Sequence, residues 1–168
     1  MSLSEGVAIP HGIYDIAKNK GFIRIGSSRD TSEFACDCLY FWWREHGVKE
    51  YPNATSILLL CDGGGSNGAR HHIFKQDLQS LANDIGVEIR IAHYPPYTSK
   101  YNPIEHRLFP HVSRACQGAI FNSVDMVRDL MAKTSTKTGL QTIVSVLDAV
   151  YETGRKATDT FMTQMPIV

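Results

Sequence analysis

Long hydrophobic runs are missing from this chain of 168 residues. No apolar stretch approaches the roughly 20 residues that a bilayer-spanning helix needs, which excludes a helical membrane protein. The opening MSLSEGVAIPHG has neither a basic start nor a long apolar core, so it does not read as a secretory leader. Cysteine is scarce. Cys36, Cys38, Cys61 and Cys116 form no CxxC pair, and three of them sit in apolar stretches. That excludes a disulfide scaffold, argues against a structural zinc site, and fits reduced, buried thiols in a cytoplasmic protein. An excess of one charge is missing too: 17 Lys and Arg balance 17 Asp and Glu, which argues against autonomous DNA binding. There is no internal repeat, low-complexity tract or Gly/Ser/Pro linker. A single domain over 1–168 with one core is therefore expected.

What is present is globular patterning. GIYDIAKNKGFIRI, residues 12–25, alternates as two β-prone runs around Lys18-Asn19-Lys20-Gly21 and predicts a hairpin. Asp30 then opens a helix with Glu33 in capping-box position, and Gly47 is its expected stop. Phe34, Cys38, Phe41 and Trp42 recur at helical spacing and form its inner face. SILLLC, residues 56–61, reads as a fully buried strand. A second amphipathic helix follows over 69–85, with Ile73, Phe74, Leu78 and Leu81 inward and Gly86 ending it. VEIRIAH, residues 87–93, is the next strand, so a parallel βαβ unit is expected. Asn102 and Pro103 suit the cap and first position of a third helix, and a short helix is expected over 124–131. TIVSVL in the tail is β-prone, with a final helical turn after it. The hairpin and the βαβ unit together predict an α/β fold with a mixed sheet flanked by helices.

Two carboxylates stand at chemically useful places. In α/β sheets ligands gather at the carboxyl ends of parallel strands, where Asp62 lies. A carboxylate there is a hard-oxygen ligand suited to Mg²⁺ or Mn²⁺, or it simply opens the turn. Glu105 falls at the third helical position after Asn102, where a capping box and a fixed catalytic carboxylate are both compatible with the spacing. Charge is also unevenly spread. Over residues 98–137, Lys100, Arg107, Arg114, Arg128, Lys133 and Lys137 face Glu105, Asp125 and Asp129, a local excess of three positive charges. Lys100, Arg107 and Arg114 are candidate contacts to a DNA backbone, or a solvated face. Asn67 and the amides of Gly63 to Gly65 are candidate phosphate contacts, or a tight strand-to-helix turn. His71, His72 and His106 read as ordinary surface or packing residues.

The run HYPPYTSKYNPIEHRLF, residues 93–109, resembles the segment around the last acidic residue of mariner-like DDE transposases. CDGGGSNG, residues 61–68, together with SKYNPIEHRLF and TSTKTGL, is closer to the Rhodopirellula-type transposase DDE domain of bacterial insertion sequences. The similarity runs from residue 12 to about Lys156, and the NPIEH segment is its most specific part. The 42 positions between Asp62 and Glu105 exceed the spacing typical of mariner relatives. The resemblance implies a ribonuclease H-like fold, with Asp62 as the second and Glu105 as the third metal-binding carboxylate. It implies two Mg²⁺ or Mn²⁺ ions, phosphoryl transfer on DNA, element ends and target DNA as partners, and a homo-oligomer in a synaptic complex. Nucleoid association on DNA would follow. The family's first Asp sits on a central strand upstream of the hairpin. No such strand is found here, so the chain reads as a truncated domain lacking its first strand, with little strand-transfer activity alone. Asp15, in IYDI, is the one early substitute carboxylate.

Two rival readings stand beside this one. A degenerate, non-catalytic remnant or assembly fragment fits the missing first Asp and the neutral charge. Gly63, Gly65 and Gly68 also satisfy G-x-G-x-x-G, with Glu88 20 positions on, as in a Rossmann dinucleotide module. Glu88 opens its strand, however, and the ribose-binding acid belongs at the other end.

Overall fold

The computed structural model describes residues 8–27, 31–62, 68–119 and 123–148. The chain forms two compact units: Met1–Asp30 with Tyr94–Val150, and Thr31–His93 with Tyr151–Val168. The mixed α/β character matches the sequence pattern. The strands, however, divide between two sheets rather than joining one.

In the first unit, β1 (Ile9–Asp15) and β2 (Lys20–Gly26) form the expected antiparallel hairpin. Its turn lies two residues earlier than the sequence suggests, over 16–19. Asn19 takes the left-handed conformation at φ 53°, which Asn tolerates better than most residues. The Lys18 N–H donates to Asp15 Oδ1 at 3.1 Å and closes the turn. Gly21 is thereby left inside β2. The parallel partner of β2 is β5 (Gln141–Leu147), the β-prone tail run, giving a mixed sheet of order β1-β2-β5.

Three short helices cover one face of this sheet: α4 (Pro103–Arg107), α5 (Phe109–Ala115) and α6 (Val124–Ala132). Ile23, Ile25, Leu108, Val112, Val124, Val127 and Leu140 make the core. Gly12 and Gly21 share the helix-facing side of the hairpin, and a Cβ at Gly12 would lie 2.6 Å from Phe109 Cε1. Both glycines are there for close approach: the α4–α5 junction sits on bare backbone. The junction itself has a local cause. Pro110 has no N–H to continue the helical ladder, so the chain breaks at Leu108, with φ −123° and ψ −64°.

In the second unit, α1 (Ser32–Trp42) begins one residue later than expected. Thr31 is its cap, accepting from the Phe34 N–H at 3.2 Å, and Asp30 lies outside the described residues. Gly47 does not stop the helix. The chain passes through a π-turn over Trp43–Gly47 and continues as α2 (Val48–Glu50). It ends at Tyr51, whose helical conformation is disfavoured by Pro52. Gly47 keeps right-handed angles and serves packing instead: a Cβ there would lie 2.5 Å from Trp43 Cε3. A π-turn holds more residues than an α-turn, which shifts the inward phase. Trp43 is accordingly buried and Trp42 only half-buried.

The βαβ unit is as expected. β3 (Ser56–Cys61) and β4 (Glu88–His93) pair in parallel, joined by α3 (Gly68–Ile85). Gly86, at φ +68°, ends α3. Ile73, Leu78 and Leu81 are buried, and Leu78 and Leu81 pack with Cys36 of α1 against Leu59, Ile89 and Ile91. Ser32 Oγ donates to Asp77 Oδ2 at 2.7 Å, tying α1 to α3. β3 is not fully buried, which corrects the expectation from its apolar run. Helices cover one face of this two-stranded sheet, while Leu58 on the other is 63% exposed.

Candidate functional site

Asp62 follows β3 directly and is exposed. The parallel register sets Cys61 opposite His93, the last residue of β4. His93 Nδ1 lies 3.4 Å from the Asp62 carbonyl oxygen, so the imidazole tethers the backbone that carries the carboxylate. Burial, and secondarily the negative charge of Asp62, push the Cys61 thiol above its ordinary value. A raised thiol disfavours the thiolate, which is the nucleophilic form. His93 was not singled out by sequence. Its signal was available in the equal lengths of the two parallel strands, which bring their carboxyl ends side by side.

Glu105 lies in the first turn of α4 and is half-buried. Asn102 caps that helix, its side chain accepting from the Ile104 N–H at 3.5 Å, with Pro103 in the first turn as expected. The capping box does not close. The Asn102 N–H donates instead to the Ser99 carbonyl at 2.9 Å, inside the 3₁₀ turn Ser99–Tyr101. The Glu105 N–H bonds the Asn102 carbonyl at 3.0 Å, and among the described residues nothing bonds its carboxylate. Of the two roles its spacing allowed, the side chain does not perform the structural one. Its carboxylate stands at a helix start, and the described residues leave both of its oxygens open to a cation.

Asp62 belongs to the unit Thr31–His93, and Glu105 to the unit containing Tyr94–Val150. Among the described residues no three His, Cys, Asp or Glu side chains group to hold a metal ion. Asp15 accepts from the Lys18 N–H and stands opposite Lys20 in the hairpin, a turn-closing position. Lys100, Arg107 and Arg114 all lie in the unit of Glu105 and are exposed. The Lys100 ammonium sits 5.2 Å from the Tyr101 ring centroid, and the Arg114 guanidinium 3.5 Å from His111 Nδ1. Gly63 to Asn67 lie outside the described residues, and so does the segment after Asp148.

The second unit holds a groove of about 280 Å³ between α1 and α3, lined by Glu33, Asp37, Asp77 and Asp84. Its charge is the sign that repels a phosphate backbone. The dinucleotide alternative loses ground on register. Glu88 opens β4 opposite Ser56, the end remote from Asp62, and its carboxylate pairs with Arg90. Among the described residues no helix is long and apolar enough to cross a membrane.

At the level of class, this is a mixed α/β protein that presents one carboxylate at a parallel-strand end and another at a helix start, the latter without a partner among the described residues. The chain belongs to the Rhodopirellula transposase DDE domain family, whose model matches residues 1–168. No curated protein and no solved structure matches it. Membership in a transposase family implies DNA as a partner.

Proposed function

We propose that this chain is the catalytic domain of a DNA transposase, of ribonuclease H-like type, in which Asp62 and Glu105 each supply a divalent-metal ligand for phosphoryl transfer. The observation that carries the reading is the Glu105 carboxylate. It sits within NPIEH on a capped helix turn and is left without a partner by the described residues. An ionised carboxylate that is half-buried gains by meeting a cation, and Mg²⁺ and Mn²⁺ take such hard oxygens. Bound divalent ions would supply charge neutralisation on the scissile phosphate and activation of the attacking hydroxyl.

The chain's own groups have separate tasks. Asp62 offers its carboxylate from a strand end that His93 steadies through the Asp62 carbonyl. Glu105 offers its own from a helix turn locked by Asn102 and anchored by buried Leu108. Lys100 and Arg114 contact the DNA backbone as exposed cations, which positions the duplex without reading its sequence. Two copies of the protein would hold the two element ends.

Mn²⁺ binding followed by electron paramagnetic resonance tests the ligand assignment without relying on turnover. Asp62→Asn and Glu105→Gln should each weaken Mn²⁺ binding, on the order of ten-fold or more, because each removes a charged ligand. Unchanged Mn²⁺ affinity in both variants would overturn the assignment.

A further inference from the structure

The first unit contains a second polar site that shares no residue with the carboxylates. A cavity of about 470 Å³ opens where the hairpin turn, the α4–α5 break and the segment before β5 meet. We propose that it is a binding pocket for a phosphate group of the DNA backbone. For the identity of the phosphate's owner the proposal rests on the transposase reading; the pocket itself does not.

The lining is rich in donors. Arg107 brings a guanidinium, His106 and His111 bring imidazoles, and Thr136 and Thr138 bring hydroxyls. Among the described residues no Asp or Glu lines the cavity. Asp15, the nearest carboxylate along the hairpin, accepts from the Lys18 N–H. Arg107 makes no ion pair with any described residue. A planar guanidinium fork flanked by hydroxyl and imidazole donors matches phosphate oxygens in both charge and geometry. The volume lies in the range of ligand pockets, about 300–1,000 Å³, so a phosphodiester with its flanking sugar fits.

The walls are fixed in advance. The Tyr14 hydroxyl donates to Asn19 Oδ1 at 2.6 Å, and Asn19 Nδ2 donates to the Thr138 carbonyl at 3.3 Å. Thr136 Oγ1 accepts from the Leu140 N–H at 3.2 Å and lies 2.9 Å from Thr138 Oγ1. The Gln141 N–H bonds the Asn19 carbonyl at 3.3 Å, clamping the segment before β5 onto the hairpin turn. Two remote stretches of sequence, the hairpin turn and the segment before β5, are thereby tied into one rim. Asn19 owes its place to its left-handed backbone angle, so the turn geometry is part of the pocket.

The pocket is separate from the carboxylate on the same helix. Residues 105 and 107 are about 200° apart around a helix of 3.6 residues per turn. Arg107 therefore reaches into the cavity while Glu105 points away from it. A phosphate held here is not the one being cleaved; it is a neighbouring backbone position that sets the register of the duplex.

Fluorescence anisotropy of a labelled 30-base-pair duplex with the full chain, in EDTA and over a salt series, tests this. Arg107→Gln should weaken binding on the order of ten-fold and lower the slope of log affinity against log salt by about one. Arg107→Lys, which keeps the charge, should restore the slope. Lys49→Gln, an equal charge loss on an exposed position of the other unit, should leave the slope unchanged. A slope for Arg107→Gln equal to that of the unaltered chain would overturn the pocket while leaving the transposase reading intact. If the unaltered chain binds no duplex, yet inorganic phosphate shifts the His106 and His111 imidazole resonances, the site takes free phosphate. The DNA assignment then fails together with the reading it rests on.

Discussion

Leu108 and Gly21 form a pair whose energetics follow directly from their contact. Leu108 is fully buried, caps α4 and lies over the bare backbone of Gly21 in β2. The three atoms nearest to a Cβ built on Gly21 are all from Leu108: Cδ1 in direct overlap, Cδ2 at 3.2 Å and Cγ at 3.4 Å. Leu108→Ala removes those atoms and leaves a cavity, at a cost of about 3–5 kcal/mol. Gly21→Ala forces a methyl into an occupied volume, costing about 1–3 kcal/mol, offset by up to ~1 kcal/mol because Ala suits a strand better than Gly. In the double variant the overlap is gone and the new methyl fills part of the hole. The double variant should therefore be no less stable than Leu108→Ala alone, a favourable coupling at least as large as the net cost of Gly21→Ala, about 1–2 kcal/mol at mid-range. Urea unfolding of the full chain, followed by circular dichroism, measures all four corners of the cycle. Additivity within about 0.5 kcal/mol would refute the packing argument. The result bears on function because Leu108 is what anchors the helix turn carrying Glu105 and Arg107 to the sheet.

Asn102→Ala should destabilise the protein by about 1 kcal/mol, or roughly 2–4 °C in thermal midpoint. Asn102 is 5% exposed and caps α4, so Asn102→Asp, which keeps the acceptor, should cost less in the same melting experiment, and equal losses would count against the cap. Asp62→Asn should speed alkylation of Cys61 by removing the lesser cause of its raised value, while burial keeps the rate below that of the unfolded chain. Because the folded thiol holds its proton to higher pH than the unfolded one, its contribution to stability is complete below the ordinary thiol range, about pH 8.5, and is lost as pH rises beyond it.

Much of this molecule is legible along the chain because local physics acts over a few residues. The βαβ segment could be read from alternation, helical spacing and Gly86, since each signal lies within one element. NPIEH identified its own helix start, since a cap followed by Pro needs no distant partner. Asp62 could be placed at a strand end for the same reason. Other features were decided only when distant segments met. Gly21 looks like a turn residue until Leu108, 87 positions on, is seen lying over it. Gly47 looks like a helix stop until the Trp43 ring is seen to need its missing Cβ. SILLLC looks buried on both faces, yet its exposure is set by what covers the sheet, which no single strand encodes. Glu105 fits a capping box in sequence, but the Asn102 N–H is taken by Ser99, and only the folded 3₁₀ turn reveals it. The pocket around Arg107 has no linear motif at all, because its walls come from residues 14–19, 106–111 and 136–138. Sequence determines which residues are able to bind a cation or a phosphate; closure of the chain over distances its local preferences cannot sense decides which of them are left with nothing else to bind.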